Sequence, residues 1–437
     1  MIRTIREAVR MKDVRRKLLW TIFLLLIYRI GCWIPIPGLN PTAFYESWSN
    51  HAAGDFLGIL NAVAGGALAN GAILALGVGP YITSSIVMQL LTIALPPLER
   101  LSKQGNEWRR KIAVYTRYVA LVMALAQAIA ITISFGMAGQ IDTNLFGAIV
   151  PEVVITIIII LTLTAGAMFT VWIGDKITEH GVSNGMSMLI FVGIISSGSL
   201  ALFHSILDVF NYGAEMLTTP LVFLALLTLM FFVIVFVDLA ERRIPVTYAK
   251  QVKGNKMYGG QQNHIPLKIN AVGVIPIIFA FSLLNFPQLI LSFFPDSGAY
   301  LWFMQNMGIG SWPNIVLTAF LILGFCYFYA SIAFNPDDVS RNLQQNGGFI
   351  IGYRPGPPTR DYLKKVHNRM TFFGAVFLAT LALVPAIVFQ AIPALHGSML
   401  TDALTAIGLL ICVSVALEFD KQLQGLMLMK TYKGFLK

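Results

Sequence analysis

Residues 58–73 read GILNAVAGGALANGAI, apolar enough for a membrane interior yet carrying four glycines and two asparagines. Fully helical, the stretch would reach roughly 24 Å against a bilayer hydrocarbon core of ~30 Å, so it does not span. The residues that follow, AILALGVGPYITSSIVMQLLTIAL at 72–95, are long enough to span and stop at Pro96-Pro97. A protein with this sequence has to house a short, glycine-weakened apolar segment beside a spanning helix.

The rest of the chain sets the environment. Of its 437 residues 56% are hydrophobic and only 12% charged, against about 25% charged in soluble proteins. Apolar runs of spanning length occur at about 18–34, 72–95, 112–136, 149–172, 186–206, 217–238, 271–294, 312–334, 371–393 and 399–417. Most are bounded by Pro, Gly or charge clusters, which predicts ten membrane helices.

A net charge of +10 could point to nucleic acid, but its placement points to the membrane. Thirty of the 31 Lys and Arg residues lie in the N-terminal tail, in or beside the even-to-odd loops, or in the C-terminal tail; Arg29, inside the first run, is the exception. The odd-to-even loops 35–71, 137–148, 207–216, 295–311 and 394–398 hold no Lys or Arg. The positive-inside rule then predicts both termini on the cytoplasmic side. The basic start MIRTIREAVRMKDVRRKLLW imitates a signal peptide, but the apolar run continues through GCWIPIPG with no small-residue cleavage site, so the first span is expected to be retained. Cys32, Cys326 and Cys412 lie in apolar spans without metal or disulfide spacing and read as small hydrophobes.

The spans divide into two sets of five at loop 207–216. A-x-G-V-x-P-x-I occurs twice, as ALGVGPYI at 75–82 and AVGVIPII at 271–278. Each copy lies near the start of a span, and the topology runs those two spans in opposite directions, as in an inverted repeat. Two cytoplasmic loops, 241–270 and 335–370, exceed what a helix connection needs. The first, beginning ERRIPVTYAKQVKGNKMYGG, carries the residues of a strand hairpin.

Catalytic chemistry is not expected. Ionisable groups deep in membrane spans are costly and mark function, and here Arg29, Arg117, Glu152 and Asp238 sit within a few residues of span ends. His51, His180, His204, His264, His367 and His396 fall in loops or at margins, and no Ser/His pair, metal-ligand cluster or phosphate-binding loop is evident. No cofactor is expected. A secondary transporter built from inverted repeats is the rival reading, but it would need polar ligands at mid-membrane.

Taken in order, RIGCWIPIPG, FLGILNAVAGGAL, GVGPYITSSIVMQLL, RRKIAVYTRY, WIGDKITEHGVSNGMSMLIF, ERRIPVTYAK, HIPLKINAVGVIPIIFA, NLQQNGGFIIGYRPG and LEFDKQLQGLMLM resemble the SecY family, the central subunits of protein-conducting channels. The chain departs from the family pattern at Ile351 and Tyr353 (FIIGYRPG for a usual FIPGIRPG), at Gln344-Gln345 for a usual Lys pair, and at His180 for a usual Arg.

The resemblance implies an all-α membrane fold of ten helices in two pseudo-symmetric five-helix halves, 1–206 and 207–437, with a short plug helix at about 58–71. Gly58, Asn61, Gly65, Gly66 and Asn70 belong to that plug, which folds back into a funnel between the halves. The physics agrees: an external apolar segment would be insoluble in water and unpaired in lipid, so it packs inside protein. Glycine's cost of roughly 1 kcal/mol relative to alanine in a helix keeps it easy to displace. Val78, Ile82, Ile190, Ile278 and Ile411 match the family's aliphatic pore ring, which can block ions by dewetting. Spans two and seven match a lateral gate, where Thr83, Gln127 and Asn285 could hydrogen-bond across. The implied function is passage of unfolded polypeptide across the membrane or sideways into lipid. The implied partners are SecE, SecG, the motor ATPase SecA, the ribosome, signal peptides and preproteins. Arg242, Arg243, Lys250 and Arg354 would face the motor or the ribosome.

Overall fold

The computed structural model describes residues 2–39, 61, 64–95, 106–137, 139–142, 144–145, 148–149, 151–212, 218–248, 251–253, 256–258, 262–270, 273, 275–291, 297–307, 311–391 and 406–435. The first part of the chain forms α1 (Ile2–Arg10), α2 (Lys12–Gly31), α3 (Gly79–Ala94), α4 (Asn106–Met137), the two-residue strands β1 (Asn144–Leu145) and β2 (Ala148–Ile149), α5 (Glu152–His180) and α6 (Gly185–Tyr212). Then come α7 (Thr218–Leu239), β3 (Glu241–Tyr248), β4 (Gln251–Lys253), β5 (Lys256–Tyr258), β6 (Gln262–Lys268) and α8 (Ile275–Leu291). The chain continues through α9 (Gly298–Met307), α10 (Trp312–Ala333), α11 (Pro336–Gln345), β7 (Gly348–Ile350), α12 (Pro357–Ala391) and α13 (Ala406–Phe435).

Six helical segments among the described residues are long and apolar enough to cross a membrane: Arg110–Ile133, Glu152–His180, Gly185–Leu207, Pro220–Leu239, Trp312–Gln345 and Pro357–Val384. The other four expected spans fall on α2, α3, α8 and α13, whose described apolar stretches are shorter or run into charge.

The second expected span, 72–95, is only partly helical. Residues 71–78 are turns and a bridge, and α3 starts at Gly79. The reason is local. Gly77 has φ +52°, a left-handed conformation that breaks a helix, and Pro80 suits the first turn of one. The repeated motif places the same device in the other half: Gly273 has φ +69°, α8 begins at Ile275, and Pro276 occupies its first turn. Gly77 pairs with Gly273, Pro80 with Pro276, and Ile82 with Ile278.

Each half has its own core. In the first, Leu68, Ala75 and Leu76 pack with Ala124, Ala128 and Ile131 of α4 and with Ile155, Ile159 and Leu163 of α5. In the second, Met230 and Ile234 of α7, Ile277 and Ala280 of α8, Ile322 of α10, Leu378 of α12 and Leu410 of α13 close around one another. The chain ends meet: Ala8 and Val14 share a buried cluster with Val182 and Leu423 of α13.

The expected hairpin in loop 241–270 is present. β3 pairs antiparallel with β6, Arg242 opposite Leu267 and Ile244 opposite Ile265. Ile244 and Val246 point inward with the two-residue period of a strand and pack on Leu343 of α11 and on Leu363 and Val366 of α12. A third strand was not foreseen: β7, from the second long loop, pairs with the other edge of β3, Val246 opposite Ile350. The two long loops are therefore one folded unit.

Helix packing in the first half leaves no room for side chains at certain glycines. A Cβ on Gly166 of α5 would lie 1.9 Å from the carbonyl oxygen of Ile73, so Gly166→Ala should destabilise the purified protein by about 1–3 kcal/mol in thermal unfolding. Gly324→Ala, in the open middle of α10, should be neutral or slightly stabilising; equal unfolding temperatures for the two variants would contradict this packing.

Candidate functional site

The short apolar segment lies against α2, α5 and α6. Asn61 is helical, but from Ala64 to Gly71 the described residues are turns, so the helix expected over 58–71 does not extend through them; Gly58 lies outside the described residues. Gly65, Gly66 and Gly71 have φ +71°, +84° and +56°, values that side chains resist. The sequence signalled this through its glycines, yet apolarity outweighed them in suggesting a helix.

Non-helical backbone in apolar surroundings needs donors and acceptors from elsewhere. Ile36 N–H donates to Gly71 O and Ile73 N–H to Ile34 O, a short bridge to the chain leaving α2. Asn61 Oδ1 accepts from Ala69 N–H at 2.8 Å, and Asn70 Nδ2 donates to the Cys32 carbonyl at 3.4 Å. From α2, Tyr28 Oη donates to Ala64 O at 3.2 Å and Arg29 Nη1 to Gly65 O at 2.8 Å.

All five residues matched to the pore ring come together. Val78, Ile190 and Ile411 are buried members of one apolar cluster, and Ile82 and Ile278 pack against it half-buried. They arrive from the turn before α3, from α3, from α6, from α8 and from α13, and so from both halves. Ala64, Ala67 and Leu74 belong to the same cluster. The short segment and the five aliphatic side chains thus share one apolar core, and the Arg29 guanidinium sits at its margin on Gly65 O.

Of the three residues expected to hydrogen-bond across the gate, two have described side chains. Thr83 Oγ1 donates to Gly79 O on its own helix at 2.8 Å, the usual habit of threonine in a helix. Gln127 is buried with its Oε1 unpartnered, and the side chain of Asn285 lies outside the described residues. A different pair joins the halves: Tyr329 Oη of α10 donates to Gln89 Oε1 of α3. The Tyr329 ring also meets Phe279 of α8 edge-on, centroids 5.2 Å apart. Both polar residues sit in apolar runs, and no single-chain signal connects positions 240 residues apart.

Arg242, Arg243 and Arg354 are exposed on the sheet-and-helix unit made by the two long loops; Lys250 lies outside the described residues. Arg243 Nε is 2.8 Å from Glu241 Oε1, a solvent-exposed pair worth little on its own. Arg354 sits between Gly352 (φ +90°) and Gly356 (φ +101°). Its carbonyl accepts from Thr359 Oγ1 at 2.8 Å, and Ser340 Oγ donates to Gly356 O at 2.8 Å, so the loop is shaped from both ends. Tyr353, one of the departures, stacks on Tyr362 at 4.2 Å between centroids. These rings line an open cleft with Arg242, Lys365 and Arg369, two further cations that charge counting alone did not single out. Nearby, the Lys268 side chain beside Lys421, together with burial, lowers the Lys421 pKa below the ordinary lysine range.

Comparison with known proteins places this arrangement. The SecY family model matches residues 72–419. The protein translocase subunit SecY of Streptomyces coelicolor is 38% identical over 447 aligned residues, covering 100% of both chains. Among solved structures, a SecY channel described for a plug domain that stabilises the closed state and maintains a membrane seal shares 18% identity at a TM-score of 0.62, over 94% of this chain and 92% of that one. The Sec61 channel of the canine ribosome-channel complex shares 16% identity at a TM-score of 0.61, with the same coverage. With a full-length relative at this identity and a family match over most of its length, the chain belongs to the SecY family of protein translocase subunits.

Proposed function

We propose that unfolded polypeptide passes through this chain at the girdle formed by Val78, Ile82, Ile190, Ile278 and Ile411, and that the segment around 58–71 closes the girdle at rest. The observation that carries the reading is their convergence in one apolar cluster drawn from both halves, with Ala64 and Ala67 in the same cluster. Aliphatic side chains exclude water and ions without offering polar groups that would select among passing sequences. The 64–71 turns suit a stopper: they are held by a few hydrogen bonds and small side chains rather than by regular helix. α3 and α8, each entered through a left-handed glycine, would flank the sideways exit to lipid, with Gln89 and Tyr329 bridging it in place of Thr83, Gln127 and Asn285.

The source of energy would be external, either the SecA motor or a translating ribosome. Either would dock on the face carrying Arg242, Arg243, Lys250 and Arg354, joined by Lys365 and Arg369. SecE and SecG would complete the assembly in a bacterial plasma membrane. The Lys and Arg pattern and the joining of the chain ends in one cluster favour cytoplasmic termini.

In this reading the seal depends on size and water exclusion rather than on side-chain identity. Replacing both Ile82 and Ile278 with Gly should raise ion leak through the resting channel in planar bilayers, whereas Val or Leu at both positions should leave it close to that of the unmodified chain. Unchanged conductance in the double Gly variant would count against the girdle.

A further inference from the structure

Arg29 is the cation that the charge pattern leaves inside a span, and the functional reading so far gives it no task. A positive side chain in a membrane helix costs about 2.5–3.5 kcal/mol at the bilayer centre on insertion scales. What it does in the structure is specific: Nη1 donates to Gly65 O at 2.8 Å.

The neighbours make that carbonyl a prepared acceptor. In a helix Gly65 O would receive the N–H of Ala69, but Ala69 N–H donates to Asn61 Oδ1 instead, at 2.8 Å. Gly65 stands at φ +71°, and a Cβ on it would come 2.8 Å from Gly193 Cα of α6 and 2.7 Å from Arg29 Nη1. Residue 65 is thus held between the backbone of one helix and the guanidinium of another. The last turn of α2 and the residue after it add three neighbouring donors: Tyr28 Oη and Cys32 Sγ both donate to Ala64 O, at 3.2 and 3.8 Å, beside the Arg29 bond.

We propose that Arg29 is a positioning residue that latches the 64–71 segment in its resting place, so that opening the channel requires breaking the bond to Gly65 O. The proposal rests on the stopper role given above. Asn61 is the second half of the device, because its side chain diverts Ala69 N–H and leaves Gly65 O open to the guanidinium. A lysine offers a compact, strongly hydrated ammonium in place of a fork of donors and reproduces the latch only in part.

Cys32 is a native reporter, since it is fully buried and its Sγ lies under Ala64 O. The test measures its alkylation by N-ethylmaleimide in membrane vesicles holding the complete chain, assigned by peptide mapping, with Cys326, buried in the core of the second half, as internal reference. Loss of a charge-assisted hydrogen bond should raise labelling of Cys32 in Arg29→Gln by about tenfold or more, with Arg29→Lys between the two and Cys326 unchanged. Asn61→Ala, which leaves α2 intact, should raise Cys32 labelling as well, and it decides the matter if Arg29→Gln fails to insert. Unchanged Cys32 labelling, or an equal rise at Cys326, would overturn the latch. Precursor transport by the same vesicles scores the channel reading separately: unaltered labelling with transport intact overturns the latch alone, and the labelling scores the latch whatever the transport result.

Discussion

Backbone that is not helical cannot face lipid, because its N–H and C=O groups would go unpaired where no water reaches them. Residues 64–78 are such backbone, and much of the first half is arranged to satisfy it. The chain after α2 supplies Cys32 and a bridge at Ile34 and Ile36, α2 supplies Tyr28 and Arg29, and Asn61 and Asn70 supply their amides. Glycine provides the close approach on the protein side as well. Gly31 faces Leu74, Gly166 faces Ile73, and Gly193 faces Gly65. The segment is buried by protein on several sides while keeping an irregular path that costs little helix to give up.

That arrangement also builds the centre of the molecule. Because Gly77 turns the chain before α3, Val78 falls at the helix entrance and Ile82 one turn inside; Gly273 and Pro276 do the same for Ile278. Ile190 and Ile411 complete the cluster from helices far apart in the chain. A short sequence repeat thus gives each half a matching helix entrance, and the two aliphatic positions following those entrances reach the same core. The two long loops form a separate unit, in which β3 is flanked by β6 and β7 and backed by α11 and α12.

The membrane class and most spans were legible because long apolar runs and the placement of Lys and Arg are properties of the chain itself, needing no tertiary information. The hairpin at 241–270 was legible from its alternation and turn residues. The helical start of the second span was not: Ala72 to Val78 is apolar throughout, and only the left-handed φ of Gly77 shows that the helix begins later. β7 was missed because three residues between glycines carry no period. For the site, the match to a family named the five aliphatic residues, which composition would have assigned to packing. Of the polar residues expected at the gate, Thr83 bonds its own helix, and a pair that joins the halves among the described residues, Gln89 and Tyr329, depends on a long-range contact that the sequence alone does not signal.

The central claim is that a moving polypeptide touches the girdle of Val78, Ile82, Ile190, Ile278 and Ile411. It is tested most directly by arresting a secretory precursor midway, with a single cysteine in the precursor and single cysteines placed in turn at Ile82, Ile278 and Phe236, which is exposed on the outer face of α7. Oxidation should then join the precursor to the chain at 82 and 278 and not at 236. Adducts at 236 equal to those at the two isoleucine positions, or none at 82 and 278 while the precursor is held in transit, would contradict the account.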